Sequence, residues 1–500
     1  MPDVHNRRFD AWLRACVPMA ALFAAGCTLG PDLTPPQPPV NAGYSPQPLP
    51  QTTQSAMIAG GDAQHLIEGM DIPGVWWTLF RSPGLDALIR RALAGNPTVE
   101  VAQANLRQAR ELALAGRGAL YPSLGIGLNE QGQQISGASF GQPNLNAVFA
   151  ITTASVNVSY VPDIWGGIHR QIESLNAQAE YQRFELEATY LSLTSNIVAA
   201  AVQEASLRAQ IAATQDIIAV ESQELEGLQR QFSVGAIANT SVLAQTANLA
   251  QVQAQLPPLQ KQLAQTRNQL TALLGRLPNE EPAETFDLDT LHLPDMLPVS
   301  LPSKLVEQRP DIRAAEAQLH EASANIGVAV ANQFPQVNLT GSLGAESAGV
   351  PFAANSEIWS LTAGLAQPIF QGGKLQHQER AAEAAYDAAA AQYRNIVVTA
   401  FQNVADVLRA LESDAESVNA QANADKAAAD SLEAARRQFM IGATTYISLL
   451  NAEQVYQQTH IALVQALATR FADTAALFQA LGGGWWNRED PAVVAESEKD

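Results

Sequence analysis

The chain has 500 residues, 47% of them hydrophobic but only 6% aromatic, and a formal net charge of −20. That balance excludes a nucleic-acid partner, which needs Lys and Arg clustered against phosphates, and no basic stripe appears anywhere. Ala and Gln replace larger side chains along runs of many tens of residues, which suits long, closely packed helices rather than several compact cores.

At the N-terminus Arg7, Arg8 and Arg14 accompany an apolar stretch from Cys16 to Ala25, the layout of a secretory signal and too short to span a bilayer. The two cysteines are Cys16 and Cys27, so the rest of the chain can form no intrachain disulfide and no thiolate metal site. Leu22-Phe23-Ala24-Ala25-Gly26-Cys27 resembles a bacterial lipobox, with Ala24 where Leu is commonest. Small residues admit the peptidase, and the Cys27 thiol accepts a diacylglycerol. Residues 1–26 are therefore expected to be a lipoprotein signal peptide, and Thr28 in place of Asp is similar to lipoproteins sorted to the outer membrane. Residues 27–60 read as lipid anchor and extended tether, because Pro31 to Pro50 carry proline at eight positions and few large apolar groups.

Beyond the tether one pattern occurs twice. Tyr121-Pro122, an alternating stretch, Ile164-Trp165-Gly166-Gly167, a very long helix and Arg230-Gln231-Phe232-Ser233-Val234-Gly235-Ala236 form the first copy. Phe334-Pro335, an alternating stretch, Ile369-Phe370-Gln371-Gly372, a very long helix and Arg437-Gln438-Phe439-Met440-Ile441-Gly442-Ala443 form the second. Ser241 and Leu243 after the first turn match Ser448 and Leu450 after the second.

In the first copy a helix from about Leu85 to Leu120 leads into two strands, marked by Leu124, Ile126 and Leu128 alternating with Gly and Asn, and by Ala154, Val156, Val158 and Tyr160 alternating with Thr, Ser and Asn. A helix from Ile168 to about Phe232 follows, then the turn at Gly235 and a helix from about Asn239 to Gly275 that Pro257-Pro258 should break. The second copy has a helix from about Lys304 to Phe334, strands marked by Val337, Leu339 and Leu343 and by Trp359, Leu361, Ala363 and Leu365, a helix from Lys374 to about Phe439, the turn at Gly442 and a helix from Tyr446 to Leu481. Each long helix runs for about 65 residues without proline, on the order of 100 Å, against a globular mean of about 11 to 12 residues. These are tunnel or coiled-coil helices.

A soluble sheet with one wet face would show the same alternation. Here about 170 residues of helix separate the two strand pairs, and no further apolar strands exist to cover the apolar face. A membrane barrel covers that face with lipid and leaves the polar face to a lumen. Single-chain bacterial barrels need at least about eight strands to close, so four per chain implies two or more copies.

Together these residues resemble the outer membrane efflux proteins (TolC-like), and within them the NodT-like lipoproteins of RND-type tripartite efflux systems. The best marks are Trp76-Trp77-Thr78-Leu79-Phe80, Leu85-Asp86-Ala87-Leu88-Ile89, Asn96-Pro97 and Arg309-Pro310-Asp311-Ile312-Arg313-Ala314-Ala315-Glu316. Ile326-Gly327-Val328-Ala329, Phe334-Pro335 and Leu339-Thr340-Gly341-Ser342-Leu343-Gly344 add to them. The resemblance implies an α+β membrane protein: a long α-helical periplasmic barrel continuous with a trimeric twelve-stranded transmembrane β-barrel, four strands from each chain. On that pattern residues 61–300 hold an equatorial segment and the first strand-helix repeat, 301–484 the second repeat, and 485–500 an acidic tail.

The resemblance also implies a homotrimer in the cell outer membrane, a periplasmic adaptor docked at the helical tips around Gly235 and Gly442, and an inner-membrane RND-type pump as energy source. The function expected is a passive exit duct for drugs or other small toxic compounds, with no cofactor beyond the covalent lipid on Cys27. Type I protein secretion or metal efflux are the alternatives, and a periplasmic coiled-coil protein without a pore is a distant one. In this family the residues just beyond the second tip turn narrow the periplasmic entrance, commonly with rings of acidic side chains. The matching positions here hold Ser448 and Asn451, without a carboxylate, which suggests a gate closed by packing of Leu450 and Leu243 and by hydrogen bonds of Ser448 and Asn451 between helices.

Enzyme chemistry has little support. Gly137-Ala138-Ser139-Phe140-Gly141 fits the G-x-S-x-G hydrolase elbow but lies between two alternating stretches, without the strand-turn-helix that the elbow needs. The seven histidines are scattered with no H-x-x-x-H pair, so no metal-ligand spacing is present; His169 and His377 follow the strand-to-helix turns and suit solvated or tunnel-lining roles.

Overall fold

The computed structural model describes residues 28–34, 36, 43–46, 48, 50–136, 141, 146–348 and 356–488. The expected signal peptide 1–26, Cys27, Gly137 to Phe140 of the elbow-like motif and residues 489–500 of the expected tail lie outside them. In chain order the α-helices are α1 (Pro83–Gly95), α2 (Pro97–Arg117), α3 (Gly167–Ser233), α4 (Asn239–Leu273), α5 (Pro302–Gln308), α6 (Pro310–Ala331), α7 (Lys374–Met440) and α8 (Tyr446–Ala480). The strands are β1 (His65–Glu68), β2 (Ser123–Ser136), β3 (Asn146–Tyr160), β4 (Met296–Val299), β5 (Gln336–Ala348) and β6 (Ser356–Ala366). Two compact units emerge: one from Met1–Pro35, Asn105–Gln182 and Ala315–Tyr393, the other from Pro36–Ala104, Arg183–Ala314 and Arg394–Asp500.

The first unit carries a four-stranded antiparallel sheet in the order β2-β3-β5-β6. Register follows the period-two pattern of the sequence, because cross-strand partners in an antiparallel sheet share a face. Ile126, Val156, Leu343 and Trp359 form one cross-strand row, and Leu124, Val158, Gly341 and Leu361 the next on the same face. Gly125, Asn157, Ser342 and Ser360 form a polar row opposite, with the Ser342 and Ser360 hydroxyls 2.8 Å apart. The apolar row is open, Ile126 being 88% exposed and Trp359 76%. At the end of the strands the Trp165 ring packs on Phe334 with centroids 4.9 Å apart, and its Nε1 donates to the Pro335 carbonyl at 2.7 Å.

The second unit is held by a core in which Trp76, Phe80, Leu85, Leu88 and Ile89 pack with Ile197, Leu408, Phe471 and Phe478, all essentially inaccessible. Trp76 stacks on Phe478 at 5.2 Å between centroids. Polar residues in and beside the sequence motifs serve several helix ends. Ser82 caps α1, its hydroxyl accepting from the Leu85 amide. Asn96 accepts from the Thr98 amide at 2.7 Å and donates to the Leu273 carbonyl at 2.8 Å, joining the start of α2 to the end of α4. Arg309 grips Asp311 through two nitrogens and donates to the Ala480 carbonyl at 2.9 Å, closing α8.

Three expectations about helices need correction. The helix expected over Leu85–Leu120 is two, α1 and α2, and the one over Lys304–Phe334 is also two, α5 and α6. In both cases the break is the residue before a proline, Asn96 or Arg309, which the proline ring drives to extended backbone. Pro257-Pro258, by contrast, do not break α4. Both prolines and the Gln253 and Ala254 residues four positions back are exposed, so solvent can serve the orphaned carbonyls while Val252 and Leu270 keep the helix packed on either side.

Candidate functional site at the helix turns

α3 ends at a glycine in the left-handed region, Gly235 at φ +74°, and so does α7, Gly442 also at φ +74°. Both close in the same way. The Gly235 and Ala236 amides donate to the Phe232 and Gln231 carbonyls, and the Gly442 and Ala443 amides to those of Phe439 and Gln438, the Schellman arrangement that ends a helix. Open space surrounds both glycines, so backbone conformation alone requires them. The chain then re-enters helix, α8 being capped by Thr445, whose hydroxyl accepts from the Ser448 amide. Both turns rest on one apolar cluster: Leu228, Leu432, Tyr446 and Leu449 are buried, with Ile237, Val242, Phe439 and Leu450 packed partly against them.

The expected gate residues differ in exposure within the single chain. Leu450 is half-buried on that cluster, whereas Ser448 and Asn451 are exposed and Leu243 is 60% exposed. The Ser448 hydroxyl lies 3.0 Å from that of Thr445 in its own helical turn. The side chains that do converge belong to none of the sequence motifs. Directly beneath the apolar cluster, Glu221 and Glu224 of α3, Gln245 and Asn248 of α4, Arg436 of α7 and Tyr446 and Glu453 of α8 form a polar junction of four helices. One carboxylate oxygen from each of Glu221, Glu224 and Glu453 lies within 4.8 Å of the other two. Tyr446 donates to the Gln245 amide oxygen, and the Gln245 amide donates to Glu221. Gln454 donates to Asn248 at 3.1 Å. The Arg436 guanidinium stands 3.3 Å from Glu224 and 3.6 Å from Glu453. Burial, and next the facing Glu224, push the Glu453 carboxyl up to about 9; burial also raises Glu221. The sequence does carry a signal for this junction: Tyr446, Leu449, Glu453 and Gln457 follow helical spacing, which puts a carboxylate in an otherwise buried stripe.

In the first unit the residues directly after Cys27 are fixed. Arg170 donates to the Leu29 carbonyl at 3.1 Å and the Gly30 carbonyl at 3.3 Å, and pairs with Asp32 at 2.6 Å. Gly30 lies against the backbone of Gly327, where an added Cβ would approach to 2.4 Å, so that a motif glycine reads as close chain approach. His169 meets Asp163 and His320 meets Glu173 at 2.8 Å, and in the second unit His460 meets Asp425 at 3.2 Å, so three of the scattered histidines have carboxylate partners.

An antiparallel sheet with one open apolar face, together with two helix pairs of 67 and 35 residues, defines the class to which the chain's sequence also assigns it. The chain belongs to the outer membrane efflux protein family, which matches residues 88–276 and 301–483. The pyoverdine export outer membrane protein OpmQ of Pseudomonas putida is 28% identical over 88% of this chain and 94% of its own length. The toluene efflux pump outer membrane protein TtgC of Pseudomonas putida is 28% identical over 95% of this chain and 96% of its own. Among solved structures, the outer-membrane channel OprN superposes with a TM-score of 0.81 at 26% identity, covering 92% of this chain and all of that one.

Proposed function

We propose that the chain is the outer-membrane channel subunit of a tripartite efflux pump, a passive exit duct for small toxic compounds from the periplasm. Three copies build it, their sheets joining into one twelve-stranded barrel and their long helices into a periplasmic tunnel. The observation that carries this reading is the open sheet. Among the described residues β2 and β6 leave unpaired edges 14 and 11 residues long, and the apolar rows led by Ile126 and Trp359 are uncovered. In water such edges invite aggregation, and such a face would cost about 25 cal/mol for each Å² left wet. Neighbouring copies satisfy the edges, and lipid satisfies the face.

On this reading the covalent lipid on Cys27 anchors the chain, with Arg170 fixing where the anchor leaves the fold. The turns at Gly235 and Gly442 meet a periplasmic adaptor that connects to an RND-type inner-membrane pump. The pump supplies the energy and the channel needs no cofactor of its own. Leu450 and Leu243 narrow the entrance, with Ser448 and Asn451 where relatives commonly place carboxylates. Relatives whose names specify pyoverdine and toluene support a duct whose cargo is chosen elsewhere in the assembly. The test is deletion of the gene in its host, with growth measured against antibiotics, solvents and metal salts. Increased susceptibility to at least one, restored by the wild-type chain, is expected. Unchanged susceptibility across all, with the adaptor and pump genes intact and expressed, would overturn the reading.

A further inference from the structure

The polar junction beneath the turns plays no part in the export reading. Glu453 is 95% buried, being 5% exposed, and among the described residues no amide, hydroxyl or guanidinium donates to either of its carboxylate oxygens. Arg436 stands at 3.6 Å, an ion-pair separation longer than a hydrogen bond. A buried carboxylate without donors is costly, and the cost falls when it takes up a proton. Three carboxylates at this spacing also invite a divalent cation, but the Arg436 guanidinium already lies between Glu224 and Glu453, and its positive charge opposes a second cation there.

The geometry points to a proton-operated lock on the helix ends: protonated Glu453 donates to Glu224 and holds α3, α4, α7 and α8 together, and loss of that proton loosens the two turns. The groups facing Glu453 are Glu221 and Glu224 from α3, the uncharged Gln245 and Asn248 from α4, Arg436 from α7 and Tyr446 from α8. With Glu453 neutral, two carboxylates face one guanidinium. Without its proton, three do, and the added charge has no donor. A cavity of about 300 Å³ lined by Glu224, Arg436, Phe439 and Tyr446 gives water a route to the pair.

The sign follows from linkage. A carboxyl raised in the fold holds its proton where the unfolded chain has lost it, so its contribution to closure is complete below the ordinary Glu range, near 4.5, and decreases as pH rises toward about 9. The lock thus closes in acid and weakens in alkali. Tyr446, whose hydroxyl is raised by burial, keeps its proton throughout that window.

The test uses the full-length purified channel and compares wild type with Glu453→Gln, which keeps the shape and a permanent donor. Amide hydrogen exchange of peptides around residues 221–245 and 432–456, corrected for the intrinsic pH dependence, is expected to speed up at least about tenfold in wild type between pH 7 and pH 9, and not in Glu453→Gln. Infrared difference spectra at pH 7 should show a protonated-carboxyl stretch in wild type that the variant lacks. Asp414, pushed up to about 7 by burial and then by Asp473, contributes a band to both and cancels. Equal pH dependence in the two proteins, or an identical carboxyl band, would overturn the lock. A wild-type response to added Ca²⁺ or to chelator at fixed pH would also overturn it, in favour of a cation site. The lock is read on the isolated channel, so its failure would leave the export reading untouched.

Discussion

At the scale of single residues, the glycines at the turns are legible because only glycine enters the left-handed region without a steric cost of about 1–2 kcal/mol. Gly235 and Gly442 both adopt it with open space around them. Gly235→Val and Gly442→Val are therefore expected to strain the turns without displacing any neighbour. Efflux should fall while the amount of protein in outer-membrane fractions stays unchanged; unaltered drug susceptibility in both would count against docking at these turns. The gate is less legible. Ser448 and Asn451 follow from matching positions alone, yet Ser448 spends its hydroxyl on Thr445 and Asn451 is exposed. Block by cations measures directly how close Asn451 stands to a channel mouth. Asn451→Asp places one carboxylate per chain there, and three brought close together would bind a cation strongly. Planar-bilayer recordings should show weak block of the wild type by multivalent cations and tighter block of Asn451→Asp. Equal block of the two would place the constriction elsewhere.

At the scale of elements, the long helices and the strands are legible from pattern, since long Ala- and Gln-rich runs without proline favour helix and strict period-two alternation favours strand. Breaks are harder because proline has two outcomes. Asn96-Pro97 and Arg309-Pro310 divide helices at junctions where the side chain before the proline reaches the end of another helix, the Leu273 carbonyl of α4 and the Ala480 carbonyl of α8, while Pro257-Pro258 sit on an exposed face where water can serve the orphaned carbonyls. That difference depends on burial, which a local sequence pattern does not carry. It also gives Arg309 a structural role, because this buried guanidinium closes the last turn of α8 through the Ala480 carbonyl while gripping Asp311 at the start of α6. Arg309→Ala leaves that carbonyl without its donor, and the loss of a charge-assisted bond at a buried helix end is expected to cost about 1–3 kcal/mol. Urea denaturation of the detergent-solubilised channel should register it, and Arg309→Lys, which keeps the charge but lacks the fork, should recover only part. An unchanged midpoint for Arg309→Ala would show that solvent already serves that helix end.

At the scale of the whole molecule, the proposed lipid anchor and the proposed barrel would hold the membrane separately and so make separable predictions. Removing the lipid by Cys27→Ser should abolish palmitate labelling yet leave outer-membrane insertion, because the residues after it are tied to the fold by Arg170 rather than by the lipid. Label persisting in the variant would refute the assignment. The barrel is tested by two adjacent residues of one strand. Leu343 lies in the apolar row with Ile126, Val156 and Trp359, and Ser342 in the polar row with Gly125, Asn157 and Ser360. They sit side by side on β5, share its backbone hydrogen bonding and differ in which face they occupy. If lipid covers the apolar face, a charge at Leu343 enters hydrocarbon, costing up to about 2–4 kcal/mol near the midplane and less toward the rim, whereas a charge at Ser342 enters a water-filled lumen. Leu343→Arg should then reduce the heat-modifiable, trimer-sized species in outer-membrane fractions, and Ser342→Arg should leave it in place while altering the ion selectivity of the open channel. A soluble sheet with one wet face would also favour Ser342→Arg, but it would place neither protein in the outer membrane and would show no conductance to alter. Equal tolerance of both charges would mean that neither face meets lipid, and the reading of β2, β3, β5 and β6 as membrane strands would fail.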